Sequence, residues 1–193
     1  LTPSLPHFCP PSLLTPSLLN SFTHSLLKFF FPSLLHSILH SPGNVKPDTF
    51  SSMMCRRSLR LCLLSAAQGH VRALTNLGNM FRDGQGVEQN YAEAVRLYRL
   101  AEEQGDAEGQ ANLAYMFFQG SGTPKDLAQA VRFMRLAAAQ GHVRAQCSLG
   151  IWLRSICPEL ARDPAEGLSW MRIAATNGNA RAQLIMGYTS EPV

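Results

Sequence analysis

From residue 56 to residue 188 the apolar positions recur at spacings of three and four, the stripe of a helix packed on one side. Ala73, Leu77, Gly78, Met80 and Phe81 form one stripe; Ala92, Ala94, Val95, Leu97, Tyr98 and Ala101 form the next. Short polar turns rich in glycine separate them, so the pattern predicts alternating helices, called A and B here, paired as hairpins. The pattern returns every 36 residues: Ala67–Ala73 reads AQGHVRA, as does Ala139–Ala145, and looser copies begin at Glu103 and, 37 residues after Ala139, at Thr176. One such hairpin cannot bury its stripe alone, and stacked copies can. The expected fold is all-α, an α-solenoid of stacked antiparallel helix pairs. About three repeats are full, and two are halves: a lone B-like helix over Arg57–Ala67 and a lone A-like helix over Ala180–Tyr188.

The residues between the stripes fit this frame. Asn90, Asp126 and Asp163 precede the B-helices and are followed three residues later by Glu93, Gln129 and Glu166, the spacing of a capping box. Pro164 takes the first helical position of the third, where its missing donor costs nothing. Gly69, Gly105, Gly141 and Gly178 close the B-helices. Gly84, Gly86, Gly120 and Gly122 turn the chain inside the first two hairpins. The third hairpin has Ser155-Ile156-Cys157-Pro158-Glu159 instead, so its turn is expected to be remodelled. Small residues recur where helices must touch, at Gly78, Ala114, Gly150 and Gly187 on the A-helices and at Ala101, Ala137 and Ala174 on the B-helices.

Three phrases, Ala-x-x-x-Leu-Gly-x-Met-Phe from Ala73, Gly-Gln-Gly-Val from Gly84 and Asn-Tyr-x-x-Ala-Val-x-Leu-Tyr-x-x-Ala-x-x-Gln-Gly from Asn90, carry a family resemblance. The chain resembles the Sel-one-like repeat, a branch of the tetratricopeptide-like helical repeats, over Arg56 to Tyr188. The resemblance implies an α-solenoid and the role common in that family, an adaptor in protein assemblies such as membrane-protein degradation complexes and signalling scaffolds. One cysteine-rich bacterial branch is linked to β-lactams through paired cysteines in each repeat. The matching positions here are Glu102 and Gln110, then Ala138 and Gln146, so the resemblance does not extend to it.

Composition divides the chain. Residues 1–45 carry one charged side chain, Lys28, together with seven of the 12 prolines and a Pro-Ser-Leu-Leu phrase that recurs at Pro11, Pro16 and Pro32. Prolines at that density interrupt any helix. Residues 1–52 are therefore expected to be a Ser/Leu/Pro-rich leader, disordered or an artefact of the gene model, with a transit or signal segment as the alternative. The helical array is expected to occupy 53–190. The apolar run from Phe22 to Leu39 is broken by His24, Lys28, Pro32 and His36, which argues against a membrane-spanning helix and against membrane association. Five irregularly spaced cysteines suggest neither a disulfide framework nor zinc, and favour a cytoplasmic location. An organellar or endoplasmic-reticulum location follows only if the leader is real. The net charge of +4 is spread among interspersed acids and arginines, so nucleic acid is not an expected partner.

No H-E-x-x-H, phosphate loop or G-x-S-x-G occurs, Ser169 included, and neither catalytic residues, cofactor nor metal is expected. His70 and His142 start A-helices two repeats apart, roughly 20 Å in a stack of helices at packing distance, too far to share an ion. Binding is the expected role. If Gly78 faces its B-helix, then the residues six before, one after and four after it look into an A-helix groove. They are Arg72, Asn79 and Arg82, then Glu108, Tyr115 and Phe118, then Arg144, Ile151 and Arg154. Aromatic side chains flanked by arginines suit another protein's acidic or amphipathic peptide. The alternatives are a groove that is only solvated, its arginines neutralised by nearby acids, or a non-catalytic portion of a larger enzyme. Arg99, Arg135 and Arg172, with Arg96 and Arg132, mark the opposite, solvated face of the B-helices.

Overall fold

The computed structural model describes residues 50–156 and 164–189, which hold eight α-helices, one π-helical turn and no strand. In chain order these are α1 (Phe50–Ala67), α2 (Val71–Asp83), α3 (Tyr91–Glu103), α4 (Ala107–Gln119), α5 (Leu127–Ala139), α6 (Val143–Ile151), α7 (Pro164–Thr176) and α8 (Ala180–Thr189). The odd-numbered helices are the B-helices and the even-numbered ones the A-helices. Each packs on the next in sequence, so the array is a stack of antiparallel pairs. The leader up to residue 49, and any boundary within it, lies outside the described residues.

The core is periodic because the sequence is. Leu77, Leu113 and Leu149 sit one repeat apart and are fully buried, each worth about 1.5–3 kcal/mol relative to exposure. Ala101, Ala137 and Ala174 are equally closed at the matching B-helix position. Met80, Met116, Phe81, Phe117 and Phe133 are buried, whereas Trp170 is only half-buried and its indole N–H donates to Glu166 at 3.2 Å. Gly78 faces Tyr98 of α3, whose ring leaves no room for a Cβ, and Gly150 faces Met171 and the Gly167 carbonyl of α7. Gly78 and Gly150 therefore set the approach of α2 and α6 to their B-helices, whereas a Cβ on Gly187 of α8, expected at the same kind of contact, would meet nothing within 4 Å.

The turns combine glycine with hydrogen bonds between elements. Gly84 and Gly120 close α2 and α4 in left-handed conformation, with φ of 69° and 74°. Their N–H groups donate to Met80 and Met116 carbonyls. Asn90 and Asp126 cap α3 and α5, accepting from the N–H of Glu93 at 3.0 Å and of Gln129 at 2.9 Å. Only this forward half of the capping box is made. The N–H of Asn90 and that of Asp126 donate instead to the Phe81 and Phe117 carbonyls of the preceding A-helix. Glu93 and Gln129, released from the box, each receive an arginine three residues on, Arg96 and Arg132. Asp163, expected to cap α7, lies outside the described residues.

The third hairpin does depart from the other two. Position 156, which is Gly84 and Gly120 in the earlier repeats, is isoleucine, and a β-branched residue does not enter the left-handed region that ended α2 and α4. Instead α6 runs on into a π-helical turn, Trp152–Ile156. Residues 157–163 are outside the described set.

Candidate functional site

The residues expected to line a groove stand at equivalent positions of successive A-helices and of the π-turn, and they are engaged differently. Arg72, Glu108 and Arg144, at equivalent positions on α2, α4 and α6, are all exposed. Asn79 is half-buried: its Oδ1 accepts from the Tyr98 hydroxyl at 2.7 Å and from Asn112 Nδ2 of the next A-helix at 3.1 Å. Burial raises the Tyr98 phenol far above its usual pKa, which keeps it a donor to Asn79. The same link recurs one repeat later between Tyr115 and Ser148, joined by a hydroxyl–hydroxyl hydrogen bond. Asn79 and Tyr115 thus tie neighbouring repeats together.

Tyr115 and Phe118 converge on one further side chain. Trp152, 4% exposed, meets the Tyr115 ring edge-on at 5.4 Å and stacks under Phe118 at 4.5 Å with the planes 9° apart. Sequence reasoning missed Trp152, although it stands 72 residues after Met80 and 36 after Met116 and so occupies their core position. The larger indole fills the methionine site and extends beneath the aromatic pair. Phe118 remains half-exposed above it, whereas Ile151, also half-exposed, packs against the Cys147, Ala174 and Ala182 cluster.

The remaining arginines are restrained. Arg82 forms a bidentate pair with its neighbour Asp83 at 2.7 and 2.9 Å, which raises the arginine pKa against the effect of burial and holds the carboxylate below its usual range. Arg154 lies in the π-turn, and its guanidinium donates toward Met171 Sδ at 3.5 Å while its stem runs against Gly167 of α7. On the B-helices Arg99, Arg135 and Arg172 are exposed as expected. Arg135 bridges to Glu166 of α7 at 2.7 Å, and Arg99 and Arg132 lie 5.9 and 5.3 Å over the Phe117 and Phe133 rings. Together with Glu102, Glu103 and Gln129, Arg99 and these two rings line an open cleft of about 400 Å³.

The two copies of AQGHVRA do not behave alike. His70 starts α2 without a side-chain cap. His142 Nδ1 accepts from the Ala145 N–H at 3.2 Å, as Asn179 Oδ1 does from Ala182 N–H at 2.9 Å. Burial lowers the His142 pKa against the opposing carboxylates of Glu108 and Asp106, with Arg144 reinforcing the shift. The cap requires an unprotonated Nδ1. A pKa depressed by folding gives stability that is full above the unfolded value, about 6.5, and lost as pH falls through the native value. The melting temperature is therefore expected to fall from pH 7.5 toward pH 5, with up to about 0.5–2 kcal/mol of that loss belonging to this cap. His142→Asn should remove that part of the pH dependence and His70→Asn should leave it intact, as circular dichroism melts at the two pH values would show.

Among the described residues no group of three or more His, Cys, Asp or Glu could hold a metal ion, and no helix is long and apolar enough to cross a membrane. Cys62 and Cys147 are free thiols, and burial raises the pKa of Cys147. The model of the Sel1 repeat matches at residues 71–106, 107–142 and 143–179, each match starting on the first residue of an A-helix. The chain belongs to the Sel1 repeat family. No curated protein matches it. Among solved structures it is similar to a protective antigen present in uropathogenic Escherichia coli strains that displays an SLR fold, at 35% identity and a TM-score of 0.58 over 65% of this chain and 27% of that one. A Sel1 repeat protein from Oxalobacter formigenes is 29% identical with a TM-score of 0.57, over 68% of this chain and 56% of that one. An immunity protein from Pseudomonas aeruginosa, 24% identical with a TM-score of 0.53 over 95% of this chain and 61% of that one, shares the fold. This Sel1 repeat chain thus spans less than two thirds of each of these neighbours. Sel1 repeat proteins are in general helical-repeat modules that bind other proteins, and they are typically non-catalytic.

Proposed function

We propose that this Sel1 repeat array, taken as residues 53–190, is a non-catalytic scaffold that holds an acidic or amphipathic peptide of another protein along its A-helix face. The observation that carries the reading is the Tyr115–Phe118 pair, seated on Trp152 and half-exposed, with exposed Arg72 and Arg144 one repeat to either side. Rigid aromatic side chains offer contact area at little entropic cost, and flanking arginines add charge complementarity and bidentate hydrogen bonding. Asn79 and Arg82 would edge the same surface, contributing polar contacts while fixed by their own partners. Arg154 would act only after leaving α7.

Tyr115 and Phe118 also pack the array, so the cleanest test reverses the exposed charges. A phage-displayed random peptide library selected on the wild-type chain should yield peptides combining Asp or Glu with an aromatic or aliphatic residue. Those peptides should bind Arg72→Glu/Arg144→Glu about tenfold or more weakly, with helicity and melting temperature unchanged. Peptides that bind both chains equally would remove the A-face from consideration.

A further inference from the structure

The residue before the glycine that ends each B-helix is glutamine three times, Gln68, Gln104 and Gln140, and asparagine once, Asn177. Asn177-Gly178 is also the single Asn-Gly dipeptide of the sequence. Both residues are exposed, just past the end of α7, and Gly178 is left-handed with φ of 83°. The side chain at this position ties the end of a B-helix to the start of its A-helix. Gln140 Nε2 donates to Gln110 Oε1 on α4 at 2.7 Å, and Asn177 Nδ2 donates to Gln146 Oε1 on α6 at 3.0 Å. Gln146 is 3% exposed, and its own Nε2 donates to the Ala138 carbonyl of α5 at 3.1 Å. It thus bridges α5 to the end of α7, and Asn177 supplies the donor for its buried oxygen.

One methylene separates the two versions of this link and decides their chemistry. Attack of the next backbone nitrogen on the side-chain carbonyl carbon closes a five-membered ring from asparagine but a six-membered ring, formed far more slowly, from glutamine. We propose that Asn177 is a site of spontaneous deamidation, and that its conversion unties α7 from Gln146. The Gly178 nitrogen bonds to Asn177 Cγ, the Cγ–Nδ2 bond breaks, and ammonia leaves carrying the proton from the Gly178 nitrogen; the product is a succinimide. Water then opens the ring at one of its two carbonyls, giving aspartate or isoaspartate, and nothing is oxidised or reduced. Glycine leaves the attacking nitrogen unshielded by a side chain. Its N–H is held by the Ala175 carbonyl at 3.1 Å, a bond in the last turn of α7, where a helix frays at least cost. Either product puts a carboxylate where the donor stood. Gln146 Oε1 then faces a second acceptor while buried, and the new charge sits at the negative end of the α7 dipole.

Peptide mapping by mass spectrometry tests this on the full chain, held folded in mildly alkaline buffer. The peptide carrying Asn177 should progressively gain the mass of an amide-to-acid exchange and split into aspartyl and isoaspartyl forms, while Gln68, Gln104 and Gln140 remain amides. Asn177→Gln should abolish the change and keep the wild-type melting temperature, since Gln140 makes the same link. Asn177→Asp, which begins as the product, should melt lower and exchange the backbone amides of α7 roughly tenfold faster. An Asn177 amide that persists in the folded chain overturns the site, whether or not a free peptide of residues 173–182 converts under the same conditions. An Asn177→Asp chain that melts and exchanges like the wild type overturns the untying. Neither result depends on what the A-helix face binds.

Discussion

Replacing Gly150 by leucine is expected to lower the stability of the array by about 1–3 kcal/mol through overpacking. A Cβ on residue 150 would press into Met171 Cγ and lie 2.8 Å from the Gly167 carbonyl oxygen. The methionine end can swing aside, but the carbonyl belongs to the backbone of α7 and can move only if the helix moves. Helix propensity acts in the opposite sense, favouring a straight-chain residue over glycine by about 0.8 kcal/mol, and is outweighed. Chemical denaturation should show the loss, whereas Ala128→Leu, at an exposed site on α5, should change stability by less than about 0.5 kcal/mol. An unaltered midpoint for Gly150→Leu would mean that α6 and α7 do not approach each other as described.

Asp106→Ala is expected to cost about 2–4 kcal/mol, more than any other single cap among the described residues. Asp106 Oδ2 accepts from the Gly109 N–H at 2.8 Å, which caps α4, and from the Thr75 hydroxyl of α2 at 2.7 Å. Thr75 is 1% exposed, so losing the carboxylate both uncaps one A-helix and orphans a buried donor on the previous one. Two comparisons isolate the second effect. Asn179→Ala, at the same repeat position but with Cys147 standing where Thr75 does two repeats earlier, should cost only the cap, about 1 kcal/mol. Thr75→Val combined with Asp106→Ala should recover part of the loss, because removing both partners leaves nothing unsatisfied. Additive costs in that double-mutant cycle would show that the Thr75–Asp106 bond carries no coupling between repeats.

Much of this architecture is legible in the sequence because a repeat states its rules several times. The 36-residue period places Leu77, Leu113 and Leu149 in the core and Gly69, Gly105, Gly141 and Gly178 in left-handed conformation at the B-to-A turns. Position and chemistry agree at each of these sites, so one pattern suffices. Other features depend on which neighbour a residue meets, and periodicity is silent about that. Identical heptapeptides give His142 a capping role and His70 none, although the two differ in no local residue. The capping-box spacing at Asn90 and Asp126 was half realised because the Phe81 and Phe117 carbonyls compete for the cap's own N–H. Ile156 signalled a changed turn, and its form, a π-turn that lays Arg154 over α7, comes from the packing of Arg154 against Gly167 and Met171. Trp152 could have been found by laying it over Met80 and Met116, although nothing local announces that its ring would slide beneath Phe118.

The account rests on successive helix pairs covering one another's apolar stripes in a regular stack, with the A-helices side by side on one face. Its most direct test is a pulsed dipolar distance between spin labels at exposed Arg72 and Arg144, in a chain whose native cysteines are replaced by alanine and diluted with unlabelled chain. Equivalent positions two repeats apart should give one narrow distribution centred at roughly 20 Å between backbones, broadened only by the label arms. A broad distribution, or a centre well beyond that separation, would contradict the stack and with it the shared A-helix face.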